Sequence, residues 1–171
     1  MKSIVIYSSL TGNTKQVAEA IISVLPAGIP CVSMKELPLD LSSYDLVFAG
    51  FWVDKGTANK EARDVLGTLH NPYIALFATA GVPPQMAHAK ESLINAANCL
   101  PDGVEPVGTF ICQGKVDPKV IEMMYKMFPK GHSHGQSADR DARHKQAAVH
   151  PNEDDFKAAQ DFAKDILIKL S

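Results

Sequence analysis

A single short stretch of the chain concentrates side chains that suit anion binding. It lies between a β-branched run and a pattern with helical spacing, so its backbone N–H groups and the positive end of the helix dipole favour a phosphate dianion. Hydroxyl and amide side chains add neutral donors, and a glycine permits close approach of the backbone. A plain helix cap is the alternative, because caps use the same residue types. The residues are Ser8, Ser9, Leu10, Thr11, Gly12, Asn13 and Thr14.

The stretch lacks the features of two common nucleotide sites. It contains no Lys or Arg and no Gly-Lys-Ser/Thr run, which argues against a triphosphate with bound magnesium. It is not a Gly-x-Gly-x-x-Gly sequence either, which argues against a dinucleotide. The stretch therefore fits a single terminal phosphate.

The segments around this stretch alternate between strand and helix patterns. Five such alternations predict an α/β fold, in which helices cover both faces of a parallel sheet through right-handed crossovers. The length of 171 residues fits one domain over residues 1–171. The predicted strands are residues 4–7, 31–33, 45–50, 73–78 and 107–112. The predicted helices are residues 14–25, 62–69, 85–97, 118–127 and 153–170.

Residues 129–152 break this alternation. They are polar, rich in His, Gly, Arg and Ala, and show no apolar periodicity, so we predict a long surface loop with a short helix over residues 139–148. Loops of this length are usually functional or mobile. The segment either covers a substrate or partner site or packs on its own domain. Its histidines have no carboxylate or cysteine at ligand spacing, so we expect no metal site.

The overall composition argues against several classes of partner. The chain has 17 basic and 19 acidic residues, so a net charge of −2 gives no reason to expect nucleic acid or a membrane as partner. No apolar run has the length of a membrane span, and the first residues do not form a secretory signal. Three cysteines, an odd number, indicate reduced thiols. We therefore expect a cytoplasmic protein, and no residue is singled out as catalytic.

The run from Tyr7 to Thr14, with its Thr-Gly-Asn-Thr core, resembles the phosphate loop of flavodoxins. This resemblance implies a doubly wound, five-stranded parallel sheet with strand order 2-1-3-4-5. It also implies a site at the carboxyl ends of strands one, three and four, where such sheets bind ligands. The implied ligand is flavin mononucleotide (FMN), bound by its phosphate. The implied phosphate ligands are the side chains of Ser9, Thr11, Asn13 and Thr14 and the backbone of Leu10 and Gly12.

The loop after the third strand carries the residues expected at one face of the flavin ring. Trp52, the sole tryptophan, follows Phe51, and either aromatic suits stacking on the ring while the other belongs to the core. Gly56 suits a peptide that changes orientation near flavin N5, as in flavodoxins. The implied contacts in this loop are Phe51, Trp52, Val53, Asp54 and Gly56.

The loop after the fourth strand faces the other side of the ring in this interpretation. Thr79, Ala80 and Gly81 would present backbone N–H groups to the flavin. Unlike flavodoxins, this loop contains no Tyr or Trp, so one face of the flavin is expected to stay open. Lys55 would place a cation beside the ring, which favours two-electron chemistry, although an ordinary solvated lysine is the alternative.

Residues 50–57 and 110–117 resemble a flavodoxin-like subgroup that includes the BilS-type proteins, which are associated with bilirubin reduction in gut bacteria. The resemblance implies an FMN-dependent electron carrier or reductase component for a conjugated acceptor such as a tetrapyrrole. A self-sufficient FMN oxidoreductase, of quinone-reductase or protoporphyrinogen-oxidase type, is the alternative. The expected partner is a redox protein or a conjugated small molecule, and the protein is expected to be a monomer or homodimer.

Overall fold

A computed structural model describes residues 1–37 and 40–171 of the chain. Strands and helices alternate along it, as the hydrophobic pattern predicts. The strands are β1 (Ser3–Tyr7), β2 (Cys31–Ser33), β3 (Leu46–Asp54), β4 (Thr57–Ala58), β5 (Tyr73–Ala80) and β6 (Gly108–Gln113). The helices are α1 (Asn13–Ile22), α2 (Lys60–Leu66), α3 (Ala87–Ala97), α4 (Pro118–Met127), α5 (Ala138–Ala147) and α6 (Glu153–Lys169), with a 3₁₀ turn at Met34–Glu36. No helix in the described residues is long and apolar enough to cross a membrane.

The five strands other than β4 form one parallel sheet in the order β2-β1-β3-β5-β6. Counted along the chain, this is the predicted order 2-1-3-4-5, so the predicted fold is confirmed. The pairing of β3 with β5 runs from Leu46 opposite Tyr73 to Trp52 opposite Thr79. This register brings the carboxyl ends of the two central strands to the same level, and the predicted ring contacts Trp52 and Thr79 become neighbours.

The third strand is longer than predicted and ends in a hairpin. It continues four residues past Gly50 to Asp54, turns, and pairs antiparallel with β4. Lys55 and Gly56 occupy the turn with φ values of 49° and 78°, as a two-residue type I′ turn requires. The prediction of an irregular loop directly after Gly50 is therefore wrong, because backbone pairing extends to both sides of the turn.

Two apolar layers cover the sheet, one on each face. Side chains alternate along a strand, so Val5 and Phe48 face α1 and α6, whereas Ile4, Val47 and Phe51 face α2 and α3. All five are completely buried. Burying a side chain of this size contributes roughly 1.5–3 kcal/mol. These layers fix the sheet edge at which the loops meet.

The segment 129–152 contains turns and bends around one short helix. Helix α5 occupies its middle, one residue before the range predicted from sequence. The Tyr125 hydroxyl of α4 donates to Asp141 Oδ1 at 2.8 Å and lies 3.2 Å from His144 Nδ1 on α5. Burial lowers the pKa of His144, and the neighbouring Arg140 lowers it further. The segment therefore packs against α4.

The Phe77 ring packs directly against the backbone of Gly50, and this contact leads to a prediction about stability. A Cβ atom added there would lie 2.1 Å from Cζ of Phe77, a fully buried ring on the neighbouring strand. We expect Gly50→Ala to lower the free energy of unfolding by about 1–3 kcal/mol, because the core must move to admit the methyl group. Urea denaturation measures this change.

Gly67→Ala is the matched control, since its added Cβ would meet nothing closer than 3.5 Å. Its free energy of unfolding should stay within about 0.5 kcal/mol of the wild-type value. Equal stability of the two variants would show that Phe77 yields to the added methyl group.

Candidate functional site

A cavity of about 230 Å³ opens at the carboxyl edge of the sheet. Four connections between a strand and the next helix meet there, as the topology of a doubly wound sheet dictates. The largest share of its wall comes from the carboxyl ends of β3 and β5 and from the residues that follow β3, β5 and β6. The wall is formed by Leu10, Thr11, Asn13, residues 52–55, 79–81 and 114–117, and Val120.

The side chain of Ser9 holds the loop after β1 together by bonding to the backbone of the same loop. Ser9 Oγ accepts hydrogen bonds from the backbone N–H groups of Gly12 at 3.1 Å and Lys15 at 3.4 Å. Gly12 has φ 95°, and no atom lies within 4 Å of the position of a Cβ, so the backbone there is accessible. The first N–H groups of α1 have no carbonyl partner within their own helix. The loop thus offers backbone donors at its open side.

Two predicted phosphate ligands form hydrogen bonds to neighbouring segments of the chain. Asn13 Nδ2 donates to the carbonyl oxygen of Lys115 at 2.8 Å, and the Thr14 hydroxyl lies 3.0 Å from Oγ1 of Thr79. Thr14 and Thr79 are both buried, so this second bond is shielded from water. These contacts fix the start of α1 relative to β5 and to the loop after β6. Thr11, by contrast, lies exposed on the cavity wall.

The hairpin brings only part of the predicted ring contacts to the cavity. Trp52, Val53 and Asp54 line it, but Phe51 is completely buried in the core. Successive side chains of a strand point to opposite faces, so Phe51 and Trp52 cannot both reach the cavity. The carbonyl of Gly56 accepts a hydrogen bond from Asn95 Nδ2 at 2.8 Å, and Gly56 lies outside the cavity wall.

Of the fourteen predicted cofactor-binding residues, nine line the cavity. Ser9, Gly12 and Thr14 belong to the loop after β1 but are not part of the cavity wall, and Phe51 and Gly56 also lie outside it. The nine are Leu10, Thr11, Asn13, Trp52, Val53, Asp54, Thr79, Ala80 and Gly81.

Sequence reasoning missed the fourth loop, residues 114–117. Val116 covers Gly81 closely: a Cβ on Gly81 would lie 2.6 Å from Val116 Cγ2. Gly114 also packs closely, since a Cβ on Gly114 would lie 2.8 Å from Nδ2 of Asn13. The sequence contains a signal for this loop, because Gly114 and Lys115 come within three residues of the end of the predicted fifth strand, and the carboxyl end of that strand lies at the same edge of the sheet. The loop adds a second cation to the wall beside Lys55.

No part of the described segment 129–152 lines the cavity. Its contact with the site runs through the backbone, because Lys115 N–H donates to the carbonyl of His150 at 2.8 Å. The imidazole of His150 in turn lies 2.6 Å from Asp155 Oδ2 at the start of α6. The segment therefore supports the fourth loop from behind and does not cover the opening.

A buried polar network underlies the loop after β1. Ser8 Oγ accepts from Asn59 Nδ2 at 2.8 Å and donates to Glu61 Oε2 at 2.5 Å. Asn59 Oδ1 is buried and has no hydrogen-bond partner among the described residues. The network joins the end of β1 to the start of α2, and nothing in the spacing of these three residues predicts it.

Comparison with known families agrees with this architecture. The flavodoxin domain model matches residues 4–164, nearly the whole chain. The chain belongs to the flavodoxin-like family. Its relatives include two proteins named BilS, flavodoxin-like domain-containing proteins of Clostridioides difficile and Clostridium symbiosum. The first is 36% identical and covers 100% of this chain and 99% of the relative; the second is 34% identical and covers 95% and 94%. These relatives confirm the predicted BilS-type resemblance.

Solved structures confirm the flavodoxin-like fold. A flavodoxin from Streptococcus pneumoniae superposes with a TM-score of 0.57 at 14% identity, covering 98% of each chain. Flavodoxin 1 from Bacillus cereus gives 0.55 at 16% identity over 100% of both chains. A Lactobacillus acidophilus flavoprotein solved in complex with FMN gives 0.52 at 19% identity, covering 65% of this chain and 93% of that one.

The flavodoxin-like family implies FMN, and the residues present fit this cofactor. The accessible backbone at Gly12 lies at the N-terminus of α1, which suits a phosphate. The half-buried Trp52 supplies one aromatic wall. Lys55 and Lys115 balance the charges of Asp54 and Asp117 in the wall, so the cavity does not repel an anion.

The buried Thr14–Thr79 contact generates a prediction about stability. Thr79→Val should lower the free energy of unfolding by about 1–3 kcal/mol, because the Thr14 hydroxyl is left buried without its partner. The double variant Thr14→Val/Thr79→Val should recover most of this loss, since no orphaned hydroxyl remains. Chemical denaturation of both variants measures the coupling. A double variant less stable than the single one would show that the two hydroxyls act independently.

Proposed function

We propose that this chain is an FMN-binding redox flavoprotein that delivers electrons to a bulky conjugated acceptor, such as a tetrapyrrole, as a carrier or reductase component. The observation that carries the proposal is the cavity at which the loop after β1 meets the ends of β3, β5 and β6. When bound, FMN would supply a centre that takes up and releases one or two electrons.

The loop after β1 would hold the phosphate. The backbone donors at the start of α1 and the hydroxyl of Thr11, which lies exposed on the cavity wall, would bind the phosphate oxygens. The Ser9 oxygen accepts two backbone N–H groups, so its own O–H proton is available to a phosphate oxygen. The positive charge of Lys115 would attract the phosphate without direct contact. Asn13 would act chiefly through Lys115, because its amide nitrogen already donates to that carbonyl.

The side chains of the cavity wall suggest how an acceptor approaches. Trp52 is the one aromatic residue among those that line the cavity, whereas Ala80, Gly81 and Val116 add only small or aliphatic groups. A flavin ring flanked in this way would be stacked on one face only. A flat conjugated acceptor could then reach the uncovered face, which supports the proposed acceptor class over a shuttle that uses only the ring edge.

The phosphate assignment predicts a loss of FMN affinity in Thr11→Ala/Asn13→Ala. Thr11→Ala removes a direct donor, and a hydrogen bond to a charged group contributes about 1.5–3 kcal/mol. Asn13→Ala removes the bond that positions Lys115. Affinity should therefore fall about tenfold or more. Quenching of Trp52, the sole tryptophan and part of the cavity wall, reports binding during an FMN titration.

Riboflavin, which lacks the phosphate, is the control ligand. It should bind wild type weakly and the double variant equally weakly. An equal proportional loss for both ligands would mean that the variant acts by loosening residues 114–117. An unchanged FMN affinity would remove the phosphate assignment altogether.

The open-face proposal predicts a selective effect of Val116→Phe. This variant puts an aromatic ring on the uncovered side, so anaerobic reoxidation of the photoreduced protein by a linear tetrapyrrole should slow about tenfold or more. Ferricyanide, a compact acceptor that needs only the ring edge, should react at the wild-type rate. Stopped-flow absorbance measures both. If the tetrapyrrole does not reoxidise the wild-type protein, or if both acceptors slow equally, the proposed acceptor is wrong.

A further inference from the structure

Helix α4 presents an apolar face to solvent. None of its ten residues is buried, and Val120, Met123 and Met127 are 37%, 56% and 66% exposed. Spacings of three and four residues place these side chains on one face of the helix. Leu10, 65% exposed, lies on the cavity wall with Val120. These four residues, the α4 stripe, are four of the nine large apolar side chains exposed in the described part of the chain.

The stripe is continuous with the candidate cofactor site. Leu10 and Val120 line the cavity, and Met127 lies seven residues further along the helix, about 10 Å from Val120 at 1.5 Å per residue. The opposite side of α4 faces α5, because Tyr125 bonds to Asp141 and lies 3.2 Å from His144 there. The stripe therefore cannot turn inward without breaking these contacts.

The charge around the stripe differs from that of the rest of the chain. Residues 115–150 contain seven Lys or Arg and four Asp or Glu, a net charge of +3. The remaining residues contain ten and fifteen, a net charge of −5, and the two together give the overall −2. Lys115 and Lys119 flank the start of the stripe, and neither forms an ion pair within residues 1–37 and 40–171. The segment that carries most of the stripe is therefore basic, in contrast to the rest of the chain.

The shape of the stripe favours a protein over a small molecule as its occupant. Small-molecule sites are concave, whereas the stripe runs along the convex side of a helix. Exposed methionines are enriched at protein interfaces, where their flexible side chains adapt to a partner.

We propose that the α4 stripe is the surface on which an acidic redox protein docks, with its own redox centre facing the cavity. This inference rests on the proposed function, because the docked protein exchanges electrons with the reduced cofactor. Each electron that leaves the cofactor reduces the partner's centre by one, so oxidation and reduction balance.

The docking test uses the FMN-loaded protein and two oxidised haem proteins, acidic cytochrome b5 and basic cytochrome c. Anaerobic stopped-flow measures the rate at which the photoreduced protein reduces each one. The acidic cytochrome should react faster at low ionic strength, and its rate should fall about tenfold as salt is added, because steering by opposite charges is screened. Calorimetric titration with oxidised cytochrome b5 measures docking itself, independently of electron transfer.

Met123→Glu/Met127→Glu tests the surface, because it places two negative charges on the stripe away from the cavity wall. We expect reduction of cytochrome b5 to slow about tenfold and its binding to weaken in parallel. Ile94→Glu is the matched control, since Ile94 is 61% exposed on α3, outside the stripe. It should leave both values within about twofold of wild type. FMN affinity and the ferricyanide rate should not change in either variant.

Three results would overturn the proposal. Preference for the basic cytochrome would contradict the charge of the partner, and equal effects of the α3 and α4 variants would contradict the surface. A concentration-dependent dimer in sedimentation that the Met123→Glu/Met127→Glu variant dissociates would assign the stripe to a second copy of this chain. Failure to bind FMN would instead refute the proposed function, while the titration with cytochrome b5 would still decide where an acidic protein docks.

Discussion

The register between β3 and β5 determines where every part of the candidate site lies. Seven residue pairs align the two central strands, and the last pair is Trp52 beside Thr79 at the carboxyl edge. The Thr79 hydroxyl then meets Thr14, which fixes the start of α1 against the same edge. A shift of one residue would exchange the two faces of a strand and replace Trp52 by Phe51 at the cavity. The apolar layers on both faces make such a shift costly, and so they define the chemistry at the edge.

A second series of contacts connects the site to the most irregular part of the chain. Asn13 donates to the carbonyl of Lys115, and the N–H of the same lysine donates to the carbonyl of His150. The fourth loop therefore sits between the loop after β1 and the segment that follows α5.

Much of the architecture could be predicted from the sequence because local patterns encode it. Periodicity gives the strands and helices, and the cap-forming residues with Gly12 mark the loop after β1. The orientation of Phe51 and Trp52 could not be predicted. Both residues are apolar, so the alternation of apolar and polar residues does not indicate which of the two points into the core. The type I′ hairpin and the contact between Asn13 and Lys115 depend on pairing between segments far apart in sequence. Information of that kind resides in the folded chain, not in any short stretch.

The backbone of Lys55 has a consequence for how this protein balances stability against activity. Its φ of 49° lies in the left-handed region, where a side chain costs roughly 1–2 kcal/mol and glycine costs nothing. A glycine at this turn would therefore give a more stable hairpin. The chain instead carries a lysine on the cavity wall. The positive charge at the mouth of the cavity therefore comes with a strained turn, and removing the strain with glycine would also remove the charge.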